Sequence, residues 1–435
     1  MTIAAVHLWG RPIGAVYLGD GAPAAVFEYD RPFQRSNIQL SPLQMPLSSE
    51  RYQFPALPRD AFRRLPGMLA DSLPDKYGTA LVDAWLAAQG RDENSFDVVE
   101  RLCYVGTRGM GALEFHPARE PARPGTADIR VDALVRLASE VLTAREEFIA
   151  ELAHGDDAEA MRAILSVGTS AGGARAKAVI AYNAATGQVR SGQVDAGTGF
   201  EHWLLKFDGV SNNRDKGLAD PKGWGAVEYA YSLMARAAGI DMAECQLLEE
   251  NGRRHFMTRR FDRPAGGGKL HMQSLGALAH FDYNQPGAYS YEQALLSIRR
   301  LGLGISAIEQ QFRRMAFNLV ARNQDDHVKN IAFLMDQSGT WTLSPAFDVT
   351  FAWEPRNRWL DSHQMTANGK RDGFGVQDLR EVGEVAGMKR GRAETILGEV
   401  RDVVGRWPEL ADKARVSEDT AELMGAAHRL NLPAG

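Results

Sequence analysis

The chain has 435 residues, enough for two to four domains or lobes at roughly 100–200 residues each. Its 44% hydrophobic and 24% charged content excludes a disordered, collagen-like or fibrous protein, and no apolar run approaches the ~20 residues of a membrane span. Lys plus Arg total 50 against 55 Asp plus Glu, and the resulting net charge of −5 argues against direct, non-specific binding of a polyanion.

The first ten residues show no basic flank ahead of an apolar core, so no secretory leader is expected. Short strands joined by turns are predicted at Ala4–Leu8, Gly14–Leu18 and Ala24–Tyr29. Prolines at 42, 46, 55 and 58 follow, and residues 60–92 read as helix broken at Leu73-Pro74-Asp75. From Val105 to Phe115 the pattern is a glycine-punctuated strand. Pro117–Pro124 is the best linker candidate, which places a boundary near residue 120. Cys103 and Cys245, both in apolar or strand-like surroundings, read as small buried hydrophobes with neither disulfide nor zinc-finger spacing. A cytoplasmic protein is expected.

A second segment, 121–265, opens with a helical pattern over Val131–His154. A Gly/Ser-rich loop at 168–173, a strand at Lys177–Tyr182, a turn at Thr186-Gly187 and a strand at Trp203–Phe207 come next. Val227–Ala238 is an amphipathic helix. Cys245–Glu249 and His255–Phe261 flank Asn251-Gly252, a type I′ hairpin signal. The third segment, 266–435, is mainly helical and includes Ile308–Arg322. Two lobes with a cleft between them are expected from segments two and three, and ligands favour such clefts.

The densest polar cluster is Asn323-Gln-Asp325-Asp326-His327-Val-Lys329-Asn330, between that helix and an apolar strand, Ile331–Met335. Asp348 lies 18 residues past Asn330, beyond a hairpin. An Asp, an Asn five residues on, a hairpin and a second Asp is the spacing of a kinase catalytic loop and its metal-binding aspartate. Phosphoryl transfer needs a carboxylate to orient or take the hydroxyl proton, for which Asp325 fits, and hard oxygen ligands for Mg²⁺, for which Asn330 and Asp348 fit. Lys329 is placed to meet charge on the transferring group. Taken alone the octapeptide would as readily be a capped turn. His327 reads as a residue that supports its own loop rather than a metal ligand, since hard-cation sites prefer oxygen.

A kinase also needs a strand lysine held by a helix glutamate. Lys206 and Glu228, 22 residues apart on consecutive elements, suit those roles. Lys206 alone would read as a solvated edge residue. The glycines around Ser170-Ala171-Gly172-Gly173 would let backbone N–H groups converge on phosphate oxygens, although the loop matches neither the Walker A nor the dinucleotide pattern.

Together these pieces resemble the HipA family, the serine/threonine-kinase toxins of bacterial HipBA-type toxin–antitoxin pairs. The resemblance runs through Leu65-Pro-Gly-Met-Leu-Ala-Asp-Ser-Leu-Pro-Asp75, Ser170–Lys177, His202–Phe207, Glu228, Arg259–Arg263, Asp325–Asn330 and Leu343–Asp348. It implies an α+β, two-lobed, protein-kinase-like fold with a β-rich N-terminal subdomain (1–120), an N-lobe (121–265) and a mostly helical C-lobe (266–435). By position it implies Asp325 as catalytic aspartate with Lys329 beside it, and Asn330 and Asp348 as Mg²⁺ ligands. ATP would be held by Lys206 with Glu228, by the 170–173 loop, by Arg259, Arg260 and Phe261 at the adenine hinge, and by His327, Asn330 and Asp348. Ser170 would be the autophosphorylated serine, with Ser166 and Thr169 as neighbouring hydroxyls. Implied partners are a helix-turn-helix, HipB-like antitoxin, DNA only through it, and a protein substrate of the translation machinery, aminoacyl-tRNA synthetases being among the family's targets. A small-molecule kinase and a catalytically silent binding module are the competing readings. Asp348 is followed by Val-Thr, not the Phe-Gly of ordinary protein kinases, and Asp326 adds a second acid beside Asp325.

Overall fold

A computed structural model describes residues 1–88, 90–92, 95–118, 128–143, 175–193, 196–210, 214–215, 218–219 and 222–434. The 168–173 loop, with Ser170, Ala171, Gly172 and Gly173, lies outside these residues, as do most of the expected linker and the end of the helix predicted to reach His154.

The N-terminal strands form one antiparallel sheet from β1 (Thr2–Leu8), β2 (Arg11–Leu18), β3 (Val26–Tyr29), β4 (Arg51–Gln53) and β5 (Leu113–His116), in the order β4-β3-β2-β1-β5. Alternate residues Ala4, Val6 and Leu8 are buried, as a strand with one face on a core requires. The strand expected over 105–115 is only partly one. Helix α2 (Val98–Val105) precedes it, after α1 (Lys76–Ala88), and α2 is closed by a capping box in which Asp97 and Glu100 satisfy each other's backbone.

The second sheet is β11-β12-β8-β6-β7, built from β6 (Lys177–Tyr182), β7 (Val189–Ser191), β8 (Glu201–Lys206), β11 (Cys245–Glu250) and β12 (Arg253–Arg259); β9 (Arg214–Asp215) and β10 (Leu218–Ala219) form a separate two-residue ladder. The β11–β12 turn is the expected one, since Asn251 and Gly252 both have positive φ, +45° and +72°. Helix α3 (Val131–Thr143) covers this sheet together with Tyr77 and Leu81 of α1, so the N-terminal segment contributes to the same core as Trp203 and Leu205. Helix α4 (Trp224–Ala237) carries Glu228 beneath β11 and β12.

The third region holds a three-stranded sheet, β13 (His271–Ser274), β14 (Ala332–Met335) and β15 (Trp341–Leu343), among helices α5 (Leu275–Ala279), α6 (Tyr291–Arg300), α7 (Ile305–Val320), α8 (Val376–Val385), α9 (Arg392–Val404), α10 (Trp407–Lys413) and α11 (Glu418–Ala427). No helix among the described residues is long and apolar enough to cross a membrane.

Gly67 shows how tightly the N-terminal segment seats on this region. A Cβ there would stand 2.3 Å from the carbonyl oxygen of Ala277 in α5. Its own N–H donates to His280 Nε2 at 3.0 Å. Gly67→Ala is therefore expected to cost ~1–3 kcal/mol by overpacking, read as a lower midpoint in thermal unfolding.

Candidate functional site

The site forms where β8, α4 and the loops flanking β14 and β15 converge. Lys206, the last residue of β8, extends its Nζ to Glu228 Oε1 at 2.5 Å and bonds Asp348 Oδ1 as well. Glu228 is 3% exposed and Lys206 12%, whereas Asp348 keeps 36% of its side chain open. The two carboxylates therefore differ: Glu228 is an internal strut, and Asp348 faces outward. Burial acts first on Lys206 and would lower its pKa, but Asp348 and Glu228 outweigh it and hold the ammonium above its ordinary value. Burial would likewise raise Asp348, yet Lys206 and then Lys177 keep that carboxyl well below the usual range. Asp348 also has φ +57°, a left-handed conformation a non-glycine residue adopts at a cost, which aims its carboxylate from the chain's sharp turn.

The catalytic-type loop follows α7. Asn330, in the 3₁₀ turn Val328–Asn330, donates from Nδ2 to the carbonyl oxygen of Asp325 at 2.9 Å, and its N–H donates to His327 O at 2.9 Å. The side-chain bond ties Asn330 to Asp325 and reserves the amide Oδ1 as the acceptor oxygen. Asn330, His327 and Asp348 line one recess. Asn330 and Asp348 are thus two hard oxygen donors on one wall, the kind and number of protein ligand that Mg²⁺ takes when phosphates and water complete its shell. Among the described residues no group of three or more His, Cys, Asp or Glu side chains is disposed to hold a metal without such help.

The two neighbouring acids have different surroundings. Asp326 is 3% exposed and accepts from Tyr291 Oη (2.6 Å), His363 Nδ1 (2.8 Å) and Gln364 N (2.8 Å). Burial would raise its pKa, but His363, Tyr291 and Gln364 together hold it below the ordinary value. Asp325 keeps 21% of its side chain exposed, and the His327 ring nitrogen is 3.9 Å from it, beyond a hydrogen bond. Asp326 anchors the loop, whereas Asp325 keeps part of its side chain open.

Lys329 lies over the ring of Tyr283 (5.0 Å) and 3.7 Å from Asp71 Oδ1. Arg259 and Arg260 are both engaged by neighbouring acids. Arg259 pairs with Glu201 at 2.8 Å and Glu244 at 3.1 Å. Arg260 is buried against Asp262 at 2.7 Å and also bonds Gly109 O. Their N–H groups donate to Glu244 O and His202 O. The Arg260 guanidinium ties the N-terminal segment to this stretch through Gly109 O, because a buried arginine must be paired, whereas the partly exposed Arg259 bridges Glu201 and Glu244. Phe261 rests against Phe347, one residue before Asp348, with ring centres 5.6 Å apart.

Asp71 and Asp75 lie in the Leu65–Asp75 segment, where the sequence alone assigns them no role. Asp71 accepts from Ser274 N at 2.7 Å and Ser274 Oγ at 3.0 Å. Asp75 lies 3.2 Å from Lys177 Nζ, both nearly enclosed. The signal was two acids within a proline-flanked apolar segment, a pattern that alone specifies no partner.

Residues 169–407 match the family model described as the HipA-like C-terminal domain, and residues 4–116 match the one described as the HipA N-terminal domain. Two proteins of Sinorhizobium fredii (strain NBRC 101917 / NGR234), Y4mE and Y4dM, each named only as a candidate kinase, are 26% and 28% identical to the chain over 213 and 141 residues. Those matches cover 46% and 28% of this chain and 48% and 32% of the relatives, so the chain spans about half, or less, of these curated proteins. Among solved structures, HipA of Shewanella oneidensis MR-1, determined with HipB and operator DNA, superposes with a TM-score of 0.67 at 17% identity, covering 97% of this chain and 94% of that one. That likeness shows the fold, and the α+β, two-lobed, kinase-like architecture expected from the sequence is borne out.

Proposed function

Because the chain belongs to the HipA family, we propose that it is an ATP-dependent serine/threonine kinase that moves the γ-phosphoryl group to a hydroxyl of a protein. The observation that carries the reading is Lys206, bonded at once to Glu228 of α4 and to Asp348 beyond β15, so that one cation links the two lobes at the cleft. In this reading Lys206 meets the nucleotide phosphates and Glu228 fixes its position. Asp325 accepts the proton of the attacking hydroxyl as its oxygen bonds to phosphorus and ADP leaves. Asn330 and Asp348 hold Mg²⁺, which when bound neutralises phosphate charge. Lys329 faces the transferring group from the loop.

The partner is taken to be a HipB-like antitoxin with DNA reached through it, by analogy with the Shewanella complex. The substrate is taken to be a protein of the translation machinery, and Ser170 the site of self-phosphorylation. A phosphate there would place nearly two negative charges in the nucleotide loop and repel ATP.

The test incubates the purified full chain with Mg²⁺ and labelled ATP, beside Asp325→Asn, and maps the phosphate by mass spectrometry. Label on Ser170 in the wild type alone supports the reading. An unmodified Ser170 peptide, no label and no ATP binding would overturn it.

Lys206→Met is expected to lower ATP affinity at least tenfold in calorimetric titration, and also to destabilise the fold, because Glu228 is left as a buried unpaired charge. Adding Glu228→Gln should restore the unfolding midpoint and leave ATP affinity low. Recovery of both would remove Lys206 from the phosphate site.

A further inference from the structure

One segment of the N-terminal unit touches both lobes. At its start Gly67 presses on α5, and Asp71 is bonded to Ser274 and stands 3.7 Å from Lys329, so this end is fastened to the C-lobe. At its end Asp75 reaches Lys177, the first residue of β6, with a separation of 3.2 Å and side-chain exposures of 7% and 2%. Asp75 is itself held, since its Oδ1 accepts from Gly78 N at 2.6 Å in the first turn of α1.

Lys177 occupies a demanding position. It stands directly opposite Lys206 in the β6–β8 ladder, and like charges facing each other across strands are unfavourable. Each lysine is met by its own carboxylate: Lys206 by Glu228 and Asp348, Lys177 by Asp75. Lys177 already acts on Asp348 through space. With Asp75 neutral or removed, Lys177 would bear more strongly on Asp348, the oxygen donor needed for a cation.

We propose that Asp75 is a positioning residue which, from the N-terminal unit, holds Lys177 opposite Lys206 and keeps it off Asp348, so that this unit completes the site around Lys206 and Asp348. The proposal rests on the kinase reading above. Asp75 differs from the other acids of the site in one respect: burial drives its pKa up to about 6, against the opposing pull of Lys177. Among the described residues, the charged and titratable groups acting on it are Lys177, Lys329 and Tyr77. Above about 6 the carboxylate is charged and Lys177 is held; below it the carboxyl is neutral and the hold is lost.

The experiment measures kcat, KM for ATP and the Mg²⁺ requirement for wild type, Asp75→Asn, Lys177→Gln and the double variant. Asp75→Asn is expected to raise KM for ATP and the Mg²⁺ requirement by about tenfold, with kcat at saturation nearly unchanged, the size of coupling that contacting charges show. In the Lys177→Gln background it should add little. Between pH 5.5 and 7 the wild-type KM should rise more steeply on acidification than that of Asp75→Asn. Equal KM values, or penalties that add independently, would overturn the proposal. Should Asp75→Asn fail to fold, Lys177→Gln and the wild-type pH profile decide, and an unshifted KM with a flat profile would overturn it. A wild-type chain that neither binds ATP nor transfers phosphate defeats the kinase reading itself and takes the proposal with it.

Discussion

Asp325→Asn is expected to reduce phosphate transfer by about 10²–10⁴-fold, the span that removal of a positioned general base produces, while ATP affinity and the unfolding midpoint stay near wild type. The side chain is partly open, and the loop is held through the Asp325 carbonyl, which the substitution keeps. Single-turnover transfer measured beside calorimetric ATP binding separates the two quantities. Full transfer in the variant would move the catalytic role elsewhere in the loop.

The adjacent substitution should behave in the opposite way. Asp326→Ala leaves the Tyr291 hydroxyl, the His363 ring nitrogen and the Gln364 N–H without their shared acceptor in a buried position. A loss of ~3–5 kcal/mol is expected, a large part of a typical total stability of ~5–15 kcal/mol. Because the folded carboxyl sits below its ordinary value of 3.8, its contribution is complete above that value and disappears as pH falls through the lower, folded one. Denaturant unfolding at pH 7 should therefore show a large gap between wild type and variant, and the gap should close on acidification. A variant as stable as the wild type at pH 7 would mean that water replaces the carboxylate and that the anchoring role is wrong.

The site was legible where its parts lie close in the chain. The interval from Asp325 to Asn330 spans a single loop, and Lys206 and Glu228 are only 22 residues apart, so spacing alone pointed to residues that the fold does bring within bonding distance. The Asn251-Gly252 turn was legible because only a few residue types suit positive φ. The role of Asp326 was not, since Tyr291 and His363 are 35 and 37 residues away and nothing local announces them. The same holds for β13, a four-residue strand with no recognisable pattern until β14 pairs with it. The α2 helix is a different case: Asp97 and Glu100 are a capping box written in the sequence, yet the segment between the helix read over 60–92 and the strand read from Val105 carried no assignment. The pairing of Arg260 with Asp262, both buried, is likewise supplied only by the fold.

One hydrophobic core joins residues as far apart in the chain as Ala4 in β1 and Ala427 in α11. During synthesis, the N-terminal sheet emerges long before the helices that will cover it. Met68 and Leu69, fully enclosed in the finished molecule, must wait in water until α5 has been made, more than 200 residues later. Such long-range closure slows folding and lengthens the time in which sticky intermediates can associate. The chain should thus depend on chaperones while on the ribosome, and its candidate site should come into being late and all at once. Pulse proteolysis of stalled nascent chains would show resistance appearing only when the helical region is complete.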